Sequence, residues 1–134
     1  MPLTADDERQ IRTLISRYCW AVDMADGDAY AATFAPDGIF ERSSGRVVQG
    51  REQLRDIPGT LSGEPGARQH WVTNLVLEGD GERAAGKAYV MVFRLENGQL
   101  VHTLSGSYDD ELVKLDGQWL FTRRRSRRWP LELA

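Results

Sequence analysis

His70 and Asp23 are the residues whose types and settings point most directly to chemistry. His70 lies in the stretch Arg68-Gln69-His70-Trp71-Val72-Thr73-Asn74-Leu75-Val76-Leu77, which follows Pro65 and Gly66. Its aromatic, β-branched and aliphatic residues predict a strand. A period of two puts His70, Val72, Asn74 and Val76 on one face and Trp71, Thr73, Leu75 and Leu77 on the other. Taken alone, an imidazole on such a face is commonly a core histidine satisfied by backbone. Asp23 changes that balance, because it falls four residues after Cys19 and eight after Ile15, at the edge of an apolar helical stripe. An unpaired carboxylate buried there is costly, so Asp23 is expected to have a partner, and a protonatable histidine would serve. Such a pair abstracts protons: the carboxylate fixes the tautomer and stabilises the imidazolium, while the other ring nitrogen acts as the base.

The elements that must bring the two together can be read in order. Thr4 followed by Ala5-Asp6-Asp7 is a helix start, with a capping hydroxyl and acids in the first turn. Ile11, Leu14, Ile15, Tyr18, Cys19 and Val22 then recur on one helical face, with Tyr18 in mid-stripe. Asp26-Gly27-Asp28 supplies the cap of a second helix through Ala29 to Phe34, which Pro36 and Gly38 end. Gly38 to Glu41 and Val47 to Gln49 predict a hairpin around Ser43-Ser44-Gly45, and Gly50 to Arg55 another short helix. Thr60 to Gly66 is expected to be a loop into the His70 strand. Three strands follow: Ala84 to Leu95, Leu100 to Leu115 and Gln118 to Arg128, separated by Glu96-Asn97-Gly98-Gln99 and Asp116-Gly117. Ala84 to Leu95 is apolar in both alternating sets, so both of its faces should be covered, one by the N-terminal helices and the other by a partner subunit.

Composition narrows the function classes. The 134 residues fit one domain, residues 1–134, and 41% hydrophobic with 28% charged residues is globular usage. A net charge of −3 provides no general attraction to nucleic acid or anionic membrane. One cysteine, Cys19, cannot form an internal disulfide framework and points to a cytoplasmic setting. No run approaches the roughly 20 apolar residues that span a bilayer, and the acidic N-terminus lacks the pattern of a signal peptide. Arg123-Arg124-Arg125-Ser126-Arg127-Arg128 suggests a polyanion site, but a strand sends residues 123, 125 and 127 to one face and 124 and 128 to the other. No basic stripe with interleaved aromatics results, so no nucleic-acid partner is expected. Phosphate loops, dinucleotide fingerprints, nucleophile elbows and zinc spacings are absent from the sequence. His70, His102 and Asp23 supply no local ligand pair for a metal, so neither metal nor cofactor is expected.

Several motifs in order carry a family resemblance: Tyr18-x-x-Ala21-x-Asp23, Phe34-Ala35-Pro36-Asp37, His70-x-x-Thr73-Asn74, Gly106-x-Tyr108 and Gly117-Gln118-Trp119-x-Phe121. Together, from about Ala5 to Arg128, they resemble the SnoaL-like branch of the nuclear transport factor 2-like superfamily. The resemblance implies an α+β fold: a cone-shaped barrel whose curved, mostly antiparallel sheet wraps a pocket closed by the N-terminal helices. It also implies a homo-oligomer, dimer or trimer, through the outer face of the sheet. Hexachlorocyclohexane dehydrochlorinase and bile acid 7α-dehydratase agree best, with an aspartate matching Asp23 and a histidine matching His70. The second also has a tyrosine matching Tyr18, and a late arginine in these enzymes falls near Arg124. Ketosteroid isomerase also has the tyrosine, but its basic aspartate falls at Arg42.

The expected activity is a cofactor-independent lyase of the dehydratase or β-elimination type, or an isomerase, acting on a small hydrophobic molecule. His70 is the expected base and Asp23 its partner, with Tyr18 or Arg124 stabilising a developing oxyanion or leaving group. Trp20, Phe34, Val72 and Asn74 are the candidate substrate-binding residues. The same architecture also serves as a non-catalytic binding or structural subunit, as in the small subunit of ring-hydroxylating dioxygenases, and that alternative stays open.

Overall fold

The structure, a computed structural model, describes residues 2–61 and 64–129. Its order is α1 (Ala5–Asp23), α2 (Gly27–Ala32), β1 (Phe34–Glu41), β2 (Val47–Gln49), α3 (Arg51–Leu54), α4 (Ile57–Leu61), β3 (Arg68–Gly79), β4 (Arg83–Glu96), β5 (Gln99–Leu115) and β6 (Gln118–Trp129). Thr4 caps α1 as read from the sequence: its Oγ1 accepts from the Asp7 N–H, and its own N–H donates to the Asp7 carboxylate. The carboxylate also accepts from the Trp119 indole at 3.0 Å and the Lys114 ammonium at 3.1 Å. The start of α1 is thereby tied to the β5–β6 hairpin. No helix of the described residues is long and apolar enough to cross a membrane.

The strands form one sheet in the order β2-β1-β6-β5-β4-β3. Every neighbouring pair is antiparallel except β1 and β6, which run parallel. Register shifts at Thr73/Val76, Val92/Phe93 and Glu111/Leu112 put bulges in three long strands, the local device that bends a sheet. The fold is the expected α+β cone, with an open sheet: β2 and β3 are edges and do not meet. Gly106 lets β5 approach β6 closely, since a Cβ there would lie 2.3 Å from the Arg127 carbonyl oxygen. The apolar stripe of α1, Ile11, Leu14, Ile15, Tyr18 and Val22, packs against Val90, Val92, Tyr108, Leu112 and Phe121 on the inner face. Burial of these side chains is the main drive for closing the helix on the sheet.

Four local expectations need correction. The second helix ends at Ala32, and Phe34 opens β1 because it pairs with Phe121 of β6. The expected loop from Thr60 starts inside α4, where Thr60 Oγ1 donates to the Ile57 carbonyl at 2.8 Å. Strict alternation fails on β3: Asn74 takes a left-handed φ of 58° in the bulge, which resets the faces. Leu75 and Leu77 therefore pack on the core, while Val76 is 57% exposed on the other side. The alternate set on β4 also differs, since Tyr89 is half exposed while Val90 and Val92 are buried.

Candidate active site

Asp23 is the last residue of α1, and the chain turns away at once. The Met24 N–H caps back to the Trp20 carbonyl, and Ala25 adopts a left-handed φ of 55°, the conformation that commonly ends helices. The Asp23 carbonyl accepts from Gly66 N–H at 2.8 Å, so the segment leading into β3 is fastened to the end of α1. His70, two residues into β3, is thereby brought beside the Asp23 side chain. Its Nδ1 lies 2.7 Å from Asp23 Oδ1. Its main-chain N–H donates to both carboxylate oxygens, at 3.1 and 3.0 Å. The side chains are 10% and 14% exposed, enough burial to strengthen the pair while leaving one edge of the ring reachable.

With Nδ1 directed at a carboxylate, the neutral ring carries its proton on Nδ1 and leaves Nε2 as the basic nitrogen. Nε2 makes no hydrogen bond among the described residues. His70 lines a cleft of about 290 Å³ between α1 and β3, with Arg12, Ile15, Ser16, Cys19 and Trp20 from the helix and Val72, Thr73, Asn74 and Leu75 from the strand. Burial pushes the Cys19 thiol up to about 11, so it stays protonated near neutrality and is no nucleophile. A larger groove of about 590 Å³, lined by Glu78, Lys87, Asp109 and Glu111 among others, does not include the dyad.

The other expected site residues separate into two groups. Trp20, Val72 and Asn74 line the cleft, Trp20 at its lip with 71% exposure. Asn74 lines the cleft with His70 and Val72, as the period of two places it, and the bulge that changes the faces takes effect from Leu75 onward. Phe34, Tyr18 and Arg124 do not line it. Phe34 is sealed in an aromatic cluster with Tyr18, Tyr30 and Phe121. Tyr18 sits in the same cluster, 3.3 Å from the Tyr30 hydroxyl, and burial raises its phenol above the ordinary value. Arg124 is completely buried, with Nε and Nη2 on the two Asp110 oxygens at 2.9 and 3.2 Å. Its guanidinium lies 3.6 Å from the Tyr108 ring centroid and 4.3 Å from that of Tyr18. Burial opposes that charge most strongly, and Asp110, Tyr108, Tyr18 and Cys19 together outweigh it, so the arginine's pKa is raised.

Arg12, Ser16 and Cys19 were missed as lining residues. The signal was present, because Arg12, Ser16 and Trp20 recur every four residues along α1, beside the apolar stripe. His102, the other histidine, is exposed, bonded to Ser105 Oγ at 2.8 Å and edge-on to Phe93. Among the described residues no three His, Cys, Asp or Glu side chains cluster as metal ligands would. The arginine run divides as its alternation requires: Arg123 and Arg125 pair with Glu41, and Arg124 turns inward.

This curved, mostly antiparallel sheet with its N-terminal helices is the α+β cone of the SnoaL-like proteins. The chain belongs to the SnoaL-like domain family, whose profile matches residues 3–125. A Mycobacterium tuberculosis protein of unknown function is 32% identical, with a TM-score of 0.82 over 93% of this chain and 77% of that one. A Nostoc punctiforme protein of unknown function with a cystatin-like fold is 28% identical, with a TM-score of 0.86 and 100% of both chains covered. A Novosphingobium aromaticivorans protein assigned as a scytalone dehydratase is 23% identical, with a TM-score of 0.79 over 92% of this chain and 84% of that one, a likeness of fold. No curated protein matches the sequence.

Proposed function

We propose that the chain is a cofactor-independent lyase or isomerase of a small, largely hydrophobic molecule, with His70 as general base. The observation that carries this reading is the 2.7 Å contact between His70 Nδ1 and Asp23 Oδ1 at the wall of an open cleft. Nε2 takes a proton from carbon next to an electron-withdrawing or leaving group, and Asp23 stabilises the imidazolium as it forms. Loss of the leaving group completes a β-elimination; return of the proton to a neighbouring carbon completes an isomerisation. Val72, Leu75 and Ile15 supply the apolar wall, and Trp20 the lip. Tyr18 and Arg124 support the site from behind, packed with Cys19 in one buried cluster, and do not touch the substrate.

The test is turnover by His70→Ala against a panel of β-hydroxy, β-halo and β,γ-unsaturated carbonyl compounds on which the wild type is active. A loss of about 10²–10⁴-fold with the melting transition retained is expected, the range of a lost general base. Unchanged turnover would reject the assignment.

We further propose that a second copy of the chain covers the outer face of the sheet. Trp71 is half exposed there, tilted against Phe93 with 4.8 Å between ring centroids, and mixed charges flank the pair further along the sheet. An apolar centre with a self-complementary charged rim is what a two-fold interface requires.

A further inference from the structure

We infer that the molecule taken into the cleft carries an anionic group, a carboxylate in its simplest form, and that Arg12 receives it at the end away from His70. This rests on the proposed small-molecule site and specifies its ligand. Arg12 lines the cleft, is exposed, and makes no ion pair or hydrogen bond among the described residues. The neighbouring first-turn charges behave differently: Asp6 is held by Arg9 and Gln10, and Asp7 by Lys114 and Trp119. Glu8, one turn before Arg12, forms no ion pair with it among the described residues.

No acidic side chain is among the described residues lining the cleft, and the carboxylate behind the His70 ring, Asp23, is committed to that residue. Among the described residues Arg12 is therefore the one permanent charge on the lining, with a guanidinium fork suited to a planar carboxylate. Ser16, one turn further along α1, and Asn74, on the face of β3 that carries His70 and Val72, add neutral polar groups to the same wall. From Arg12 to Cys19, beside the apolar part of the cleft, α1 rises about 10 Å at about 1.5 Å per residue. The geometry suits a ligand with an apolar body one or two rings long between its anion and the carbon that loses a proton.

The proposal can be tested without knowing the substrate. Binding of 2-naphthoate and of its neutral isostere 2-naphthamide is titrated by NMR in the wild type, Arg12→Met, Arg12→Lys and His70→Ala, following the Trp20 indole throughout and the labelled His70 ring where it is present. The wild type should bind the acid about tenfold or more tightly than the amide, the scale of one charge-assisted contact. Arg12→Met, which keeps helix propensity, should erase that preference, Arg12→Lys should keep part of it, and His70→Ala should leave it intact. Equal binding of acid and amide, an unchanged preference in Arg12→Met, or no binding of the acid at millimolar concentration would each overturn the inference. None of these results bears on whether His70 is the base, which its own turnover assay decides.

Discussion

Asp23 holds His70 at two levels, by the main chain and by the ring. Both carboxylate oxygens accept the His70 N–H, and Oδ1 also lies 2.7 Å from Nδ1. The first contact sets where β3 passes the end of α1, and the second sets the ring. Asp23→Asn separates them. An asparagine Oδ1 still accepts the main-chain N–H, but its amide donates to Nδ1 and forces the ring proton onto Nε2. The expected outcome is a variant that melts near the wild type and has lost about 10²–10⁴-fold in turnover. A nitrogen-15 spectrum of the His70 ring should show the proton moved to Nε2. An active Asp23→Asn enzyme would show that the tautomer does not matter.

The outer sheet face gives a second prediction. If a second copy covers Trp71 and Phe93, replacing Trp71 by lysine removes an aromatic anchor and places a charge in the apolar centre of the contact. Light scattering should find the wild type as an oligomer and Trp71→Lys shifted towards monomer, with the dyad untouched because Trp71 faces away from His70. A monomeric wild type at micromolar concentration would dispose of the proposal.

Asp7 gives a pH dependence whose sign can be worked out. Its folded carboxyl lies below the ordinary 3.8, first because of the main-chain bond from Thr4 and then because of the Trp119 indole. As pH falls, the unfolded chain therefore takes up this proton before the folded one does. The stabilisation is complete above about pH 4 and is lost progressively below it. Thermal melts of wild type and Asp7→Asn should show a gap in Tm near neutrality that narrows as pH drops below about 4. A gap that stays constant would mean that Asp7 contributes no charge-dependent stability.

Much of this arrangement was legible because helical periods report directly on faces. Asp23 at the edge of the Ile15-Cys19 stripe follows from counting residues, and so does the division of the arginines between two faces, though not which face turns inward. What counting misses is set by contacts distant in sequence. The bulge at Asn74 breaks the period of two, and its one local signal was the tolerance of asparagine for left-handed backbone. Phe34 was expected at the pocket, but the parallel crossing of β1 on β6 carries it into the sealed core. The partner of Arg124 depends on a strand register interrupted at Glu111/Leu112, which no local pattern encodes.

That partnership gives the strongest prediction about stability. Arg124 and Asp110 are both buried, and Nη1 of the arginine has no hydrogen-bond partner among the described residues. The rings of Tyr108, Tyr18 and Phe121, with centroids 3.6, 4.3 and 4.5 Å away, face the cation where an oxygen otherwise would. Arg124→Met keeps the volume but strands the Asp110 carboxyl, whose burial already raises it above the ordinary value. Breaking one side of such a pair costs about 3–5 kcal/mol, a large share of the roughly 5–15 kcal/mol that holds a domain together. Adding Asp110→Leu removes the stranded group, so the double variant should be more stable than Arg124→Met alone. Recovery should stop short of the wild type, since the ring contacts with the cation are lost as well. Urea unfolding of the wild type, both single variants and the double variant measures the coupling directly. If the double variant loses the sum of the two single losses, Arg124 and Asp110 act independently and the buried pair is not the unit that organises this side of the core.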